Sequence, residues 1–209
     1  MMIAVAALLH GHASLHPENQ PMRIETEPVY NAPARAFHWA TALLLLFQYV
    51  LAWTMPDVHR DTKPVGLIAW HLGVGVGIVL LVLVRLLWRS VYAAPPEPTT
   101  LPPALRRLGR LTHGFLYLLL IAVPLMGWAN ASSRDWNVTL LSVIPMPPLA
   151  PTDSPIGHAL GDWHAVFAWV LLALVGLHIG AALFHQFVLR DGTLDRMLPS
   201  RRERSPAKQ

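Results

Sequence analysis

The chain contains no cysteine. That excludes disulfides, thiolate zinc sites, iron–sulfur clusters and thioether-attached haem, so any metal must be held by histidine, methionine or carboxylates. Charge is also scarce, with Asp, Glu, Lys and Arg making up 13% of the 209 residues, against about 25% in soluble domains. What replaces it is apolar: 54% of residues are hydrophobic and the mean hydropathy is +0.41. A membrane protein follows from that balance. The sequence pI near 10.0 does not imply nucleic acid, because the basic residues gather beside the apolar runs instead of forming one stripe. Orientation in a bilayer explains them better, and no nucleic-acid partner is expected.

The longest uncharged run is residues 163–189, WHAVFAWVLLALVGLHIGAALFHQFVL, 27 residues with no acid, lysine or arginine. A helix needs roughly 20 residues to cross a bilayer, so this is a membrane span. It carries His164, His178 and His185, and hydrocarbon tolerates imidazole only where protein, cofactor or water meets the ring nitrogens. At about 100° and 1.5 Å per residue, the step from His164 to His178 returns to within roughly 40° of the same face and climbs roughly 21 Å. One helix thus offers two imidazoles on one side, one towards each membrane surface. A lone histidine in a span is more often hydrogen-bonded to a neighbouring helix than bound to metal, so the other spans decide the matter.

Three further spans are expected, which with the last give segments at about 35–55, 64–88, 110–130 and 160–189 inside a domain of residues 31–199. The first follows Asn31 and Pro33, a cap residue with proline in the first turn, and carries His38 about two turns in. The second opens near Thr62, Lys63 and Pro64 and carries His71, followed by Gly73, Gly75 and Gly77, small residues that permit close approach of a helix or a flat ligand. The third holds His113 in its first turn and Pro124, expected to kink it. The apolar piece 136–150, broken by Pro145, Pro147 and Pro148, is too short to cross and is expected to lie on the surface. Ser154 and Pro155 start the fourth helix.

Residues 1–30 are expected to be a disordered extension, with a signal peptide disfavoured by the lack of a basic leader. Its His10, His12 and His16 have no fixed geometry for a metal. Residues 200–209 form a basic tail. Counting basic residues leaves only Arg60, Lys63 and Arg134 on one side of the four spans, which places both termini in the cytoplasm by the positive-inside rule. The fold class is therefore an all-α, integral membrane four-helix bundle of a bacterial inner membrane.

Depth then pairs the histidines. His38 and His178 fall in the inner half of the membrane, His71 and His164 in the outer half. Two imidazoles facing across a bundle supply both axial positions of a haem iron, whereas zinc would want three or four ligands at one depth. Two haem b groups, one per leaflet, are expected, and filled axial positions leave outer-sphere electron transfer as the activity. Arg85 repeats the 14-residue step beyond His71, and Arg35 lies one turn before His38. Either could pair with a haem propionate or serve as an ordinary anchor at the inner surface. His185, two turns beyond His178, is an alternative inner ligand, disfavoured because it lies close to the helix end. His113 and His185 could bind a quinone carbonyl or relay its protons, or simply hydrogen-bond at the interface.

The strings RAFHW around His38, WHLGVGVGIVLLVLVRLLWR from Trp70, LGRLTHGFLYLLLIAVPLMGW from Leu108, and WHAVFAW through LVGLHIGAALFHQFVLRDGTLDRMLP resemble the bacterial cytochrome b561 family over about residues 33–199. The resemblance implies His38 and His178 as ligands of one haem b and His71 and His164 of the other. It also implies an activity: one member of the family is a superoxide oxidase that passes electrons from superoxide to ubiquinone, while related four-span cytochromes relay electrons for a partner redox protein. The chain differs from the family in its N-terminal extension and in the proline-rich loop at 145–155. The leading expectation is a di-haem oxidoreductase between an outer-face donor, superoxide by preference, and ubiquinone. A relay subunit for a partner is the alternative, and a haem-free transporter with a histidine-lined proton path the third.

Overall fold

The computed structural model describes residues 29–96, 102–140 and 143–198. The basic tail, His10, His12, His16 and nearly all of the expected extension lie outside the described residues. The described chain is all-α apart from one short hairpin. Its four long helices are α1 (Ala32–Thr54), α2 (Leu67–Val91), α3 (Pro103–Ser133) and α4 (Pro155–Phe184), each long and apolar enough to cross a membrane.

The ends of these helices follow local chemistry. Asn31 Oδ1 accepts the Ala34 N–H at 3.0 Å and Ser154 Oγ accepts the Gly157 N–H at 3.2 Å, each satisfying one of the donors that a helix start leaves unpaired. α1 stops at Thr54, just ahead of Pro56, as expected where a proline disfavours helical backbone in the residue before it. α2 begins three residues later than its proline suggests: Pro64 lies in a tight turn closed by Val65 N–H to Lys63 O at 2.9 Å, and Gly66 turns the chain at φ +59°, a backbone that favours glycine. α3 starts about two turns earlier than hydropathy indicates, because Pro102 and Pro103 suit a helix start and the basic stretch behind them is helical all the same. At 31 residues it is about 46 Å long, more than the roughly 30 Å of hydrocarbon, so its basic end projects into the interface or the helix tilts.

The segment after α3 lies at the surface and does not cross, as expected, with Val143, Ile144 and Leu149 exposed, and it is folded as a hairpin. β1 (Thr139–Leu140) and β2 (Ile144–Pro145) pair antiparallel, Thr139 opposite Pro145. Val138 is buried against Val76 of α2 and Ala131 of α3. Leu149 N–H donates to Ser132 Oγ at 3.0 Å and Asp153 N–H to the Ser133 carbonyl at 2.8 Å. The prolines kept this segment from spanning, but its apolar side chains cover the ends of α2 and α3.

Helix packing follows chain order, α1 on α2, α2 on α3 and α3 on α4, while α1 and α4 do not pack side by side. The core is Ile78 and Val82 of α2, Leu119, Leu120 and Val123 of α3 and Leu171 of α4. Lipid tails are as apolar as these side chains, so close packing and interhelical hydrogen bonds carry more of the association than hydrophobicity does. Such bonds between helices include Gln48 Nε2 to the His71 carbonyl at 3.0 Å, Tyr49 Oη to the Ala168 carbonyl at 2.6 Å, and His164 Nδ1 to the Val123 carbonyl at 2.8 Å. The Tyr49 bond ties α1 to α4 across the side they do not pack.

Candidate cofactor site

At the hairpin end of the bundle, His71 of α2 and His164 of α4 face one another with ring centroids 6.0 Å apart and planes at 87°. At the other end, where the described termini lie, His38 of α1 and His178 of α4 stand 6.3 Å apart at 71°. Metal–imidazole bonds of about 2.0 Å, with roughly 1.1 Å from nitrogen to ring centre on each side, put two rings that flank one metal roughly 6 Å apart. Both pairs have that separation. Among the described residues, no three His, Asp or Glu side chains converge as a metal cage.

The hairpin-end pair is built by close approach. His164 Nδ1 donates to the Val123 carbonyl, which leaves Nε2 with the lone pair that a metal requires. Its ring lies against Gly127, where an added Cβ would stand 3.0 Å from both Cε1 and Nδ1. His71 Nδ1 is buried with no hydrogen-bond partner, and buried polar atoms are rarely left so. Its helix is held to α1 by Gln48, and Gly75 gives that amide room, an added Cβ there standing 3.5 Å from Gln48 Nε2. The space beside the two rings is about 20 Å³, so a porphyrin would need room on the α1 and α4 side, where the helices stand apart. The donor set fits a bis-histidine haem at this level.

The opposite end is more polar and more open. Arg85 Nη2 lies 3.1 Å from His38 Nδ1. A guanidinium only donates, so this nitrogen accepts and the neutral ring carries its proton on Nε2. Arg85 also lies over the Tyr117 ring at 5.3 Å. Arg35 is buried and donates from Nη1 to the Leu198 carbonyl at 2.9 Å, which ties α1 to the segment after α4. His113 Nδ1 donates to the Gly109 carbonyl at 2.7 Å, and its ring stands 5.1 Å from that of His178. Beside them opens a cavity of about 800 Å³ between α3 and α4, lined by His113, His178, His185 and Tyr117 among others. His185 lies in a π-helical turn, His185–Leu189, where its Nδ1 meets Asp191 Oδ2 at 2.6 Å.

The structure thus brings together His71 with His164, and His38 with His178, Arg85 and His113. His185 is engaged with Asp191, and Arg35 with the Leu198 carbonyl. Sequence reasoning missed Gly127, Gln48 and Asp191. Gly127 carried a legible signal, a small residue one turn past Pro124 in a span; the other two are seen only when helices are placed side by side.

The profile of the prokaryotic cytochrome b561 family matches residues 29–200. A probable superoxide oxidase, CybB, of Yersinia pestis is 30% identical over 177 residues, 83% of this chain and 97% of that protein. A cytochrome b562 of Cereibacter sphaeroides is 35% identical over 84% of this chain and 98% of its own length. A cytochrome b561 homolog 2 of Escherichia coli is 28% identical over 81% and 90%.

Proposed function

The chain belongs to the prokaryotic cytochrome b561 family, and on that footing we propose that it is a di-haem oxidoreductase of the bacterial inner membrane. It passes electrons from a donor at the outer face, superoxide, to ubiquinone. Haem b is implied by the family; the number of haems, their ligands and the quinone are our reading. His71 and His164 are the axial ligands of one haem, and His38 and His178 those of the other. The observation that carries this is the pairing of four imidazoles in twos, 6.0 and 6.3 Å apart, at the two ends of one bundle. The haems that these residues would hold would supply one-electron carriers, with outer-sphere transfer as their chemistry.

The residues of the chain do the rest. His164 is oriented by the Val123 carbonyl, and Gln48 steadies the backbone of His71. For His38 to present a lone pair from Nε2, Arg85 has to give up its contact with Nδ1; a haem propionate is the anion it turns to. Arg35, occupied by Leu198, is the weaker candidate for that role. His113 and His185 line the large cavity and are placed to meet a quinone and its protons. The reaction balances as two superoxide anions, one quinone and two protons giving two dioxygen and one quinol. The scarcity of basic residues beyond Arg60, Lys63 and Arg134 at the hairpin end supports both termini being cytoplasmic. Steering of an anionic donor there is left to local arrangement; Arg134, for one, lies 5.5 Å over the Trp136 ring.

Stopped-flow mixing with superoxide tests the reading. Fast reduction of a low-spin haem b spectrum, followed by reoxidation with a soluble quinone, is expected. A red, folded protein that superoxide does not reduce would be a relay cytochrome for a partner redox protein. That alternative is favoured by the cytochrome b562 of Cereibacter sphaeroides, 35% identical and named as a cytochrome alone. A colourless, folded protein would sink both.

A further inference from the structure

His185 and Asp191 form a partly buried dyad that the electron path does not use. The imidazole and carboxylate meet at 2.6 Å with side chains only 20% and 12% exposed. The other carboxylate oxygen accepts the Thr193 N–H at 3.0 Å, so both oxygens of Asp191 are engaged. An ionised carboxylate can only accept, so the proton between the two groups sits on His185 Nδ1. In the neutral ring Nε2 then keeps a lone pair, and His185 lines the cavity of about 800 Å³ that His178 also lines. Along the helix the two histidines are seven residues apart, roughly 10 Å.

The surrounding charges show what Asp191 is needed for. Arg89 of α2, Arg106, Arg110 and His113 of α3, and Arg196 of the segment after α4 all line the same cavity, and among the described residues no acid does; Arg190 follows the turn directly. Those side chains make the wall of the cavity predominantly basic. Asp191 is the carboxylate in contact with His185. Burial works against the charge of Asp191, but hydrogen bonds from His185 and Thr193 outweigh it and hold the acid below its ordinary range, so the pair keeps its negative member.

We propose that His185, positioned by Asp191, is a redox-linked proton acceptor for the end of the bundle that holds His38 and His178. When one electron reaches that end, one proton from the adjoining aqueous phase binds His185 Nε2; when the electron leaves, the proton returns. The electron, supplied by the outer donor, would reside on the haem that His38 and His178 would hold; at His185 only an N–H bond is made, and one electron with one proton leaves the net charge of the region unchanged. The advantage is electrostatic, since a charge entering a low-dielectric interior is stabilised by a compensating one close by. This inference rests on the reading that His38 and His178 hold a haem.

The experiment is a spectroelectrochemical titration of the full haem-loaded chain between pH 5.5 and 8.5. One haem should show a midpoint potential that falls with pH by up to about 59 mV per unit, the limit for one proton per electron, while the other stays nearly flat. His185→Gln should abolish the slope. Asp191→Asn should weaken or abolish the slope, and Asp191→Glu should restore it. Two low-spin haems with a flat potential in the unaltered protein, or a slope that survives both His185→Gln and Asp191→Asn, would overturn the inference and leave the haem assignment standing. A preparation binding no haem between His38 and His178 would instead overturn the reading beneath it, and the inference with it.

Discussion

Gly127 of α3 and His164 of α4 meet so closely that a methyl group on the glycine would stand 3.0 Å from two atoms of the ring. The ring cannot drift aside freely, because its Nδ1 is held by the Val123 carbonyl one turn before Gly127. Gly127→Ala should therefore move His164 by a few tenths of an ångström or break that bond. The expected outcome is one haem per chain in place of two, read from the ratio of extractable haem to protein. Two haems with an unchanged spectrum would show that the close approach has no part in ligation.

The pairs should also be separable. His71→Ala or His164→Ala is expected to remove one haem and spare the other, and His38→Ala or His178→Ala to do the converse. Reduced-minus-oxidised spectra at low temperature would resolve which band is lost. Loss of both from any single change would contradict independent sites, and retention of both after His178→Ala would move the assignment to His185.

Much of this was legible because a membrane span announces itself. Uncharged runs gave the four helices, and histidine depth alone paired His38 with His178 and His71 with His164, as the rings are found to face. What escaped depended on contacts that one-dimensional pattern does not carry. That the segment after α3 stays at the surface was legible from its prolines, but not that Val138 packs against Val76 of α2 and Ala131 of α3. The early start of α3 escaped because hydropathy marks the lipid-embedded part of a helix, not its length. Arg35 read as a propionate partner or an anchor, yet its guanidinium meets Leu198, 163 residues away, and the sequence holds no trace of that return of the chain.

The contact between α3 and α4 offers a test of packing apart from haem. An added Cβ at Gly157 would lie 2.6 Å from Ser133 Cβ and 3.1 Å from the Ala129 carbonyl, and Ser133 is fully buried. Backbone cannot yield as a flexible side chain does, so Gly157→Ala should push the helix ends apart at a cost of about 1–3 kcal/mol. Thermal unfolding in detergent, followed by circular dichroism, should show a lowered midpoint. Gly176→Ala, with nothing within 4 Å of its added methyl, should leave the midpoint unchanged or slightly raised.

Acid should loosen the turn after α4 before it touches the bundle. Asp191 is held below the usual carboxylate range by hydrogen bonds from His185 and Thr193, which outweigh the effect of its burial. A depressed carboxylate adds stability that is complete above its unfolded value, near 3.8, and is lost as pH falls through the folded value. The turn should hold from neutrality to about pH 5 and weaken below that. The Thr193 amide, which donates to Asp191 Oδ1, is the reporter. Its hydrogen-exchange protection, corrected for the intrinsic dependence on pH, should fall in acid while that of the α2 core does not. Asp191→Asn keeps an oxygen for Thr193 but has no proton to gain, so its protection should be lower at neutrality and flat with pH. An acid-sensitive Thr193 in that variant would place the titrating group elsewhere.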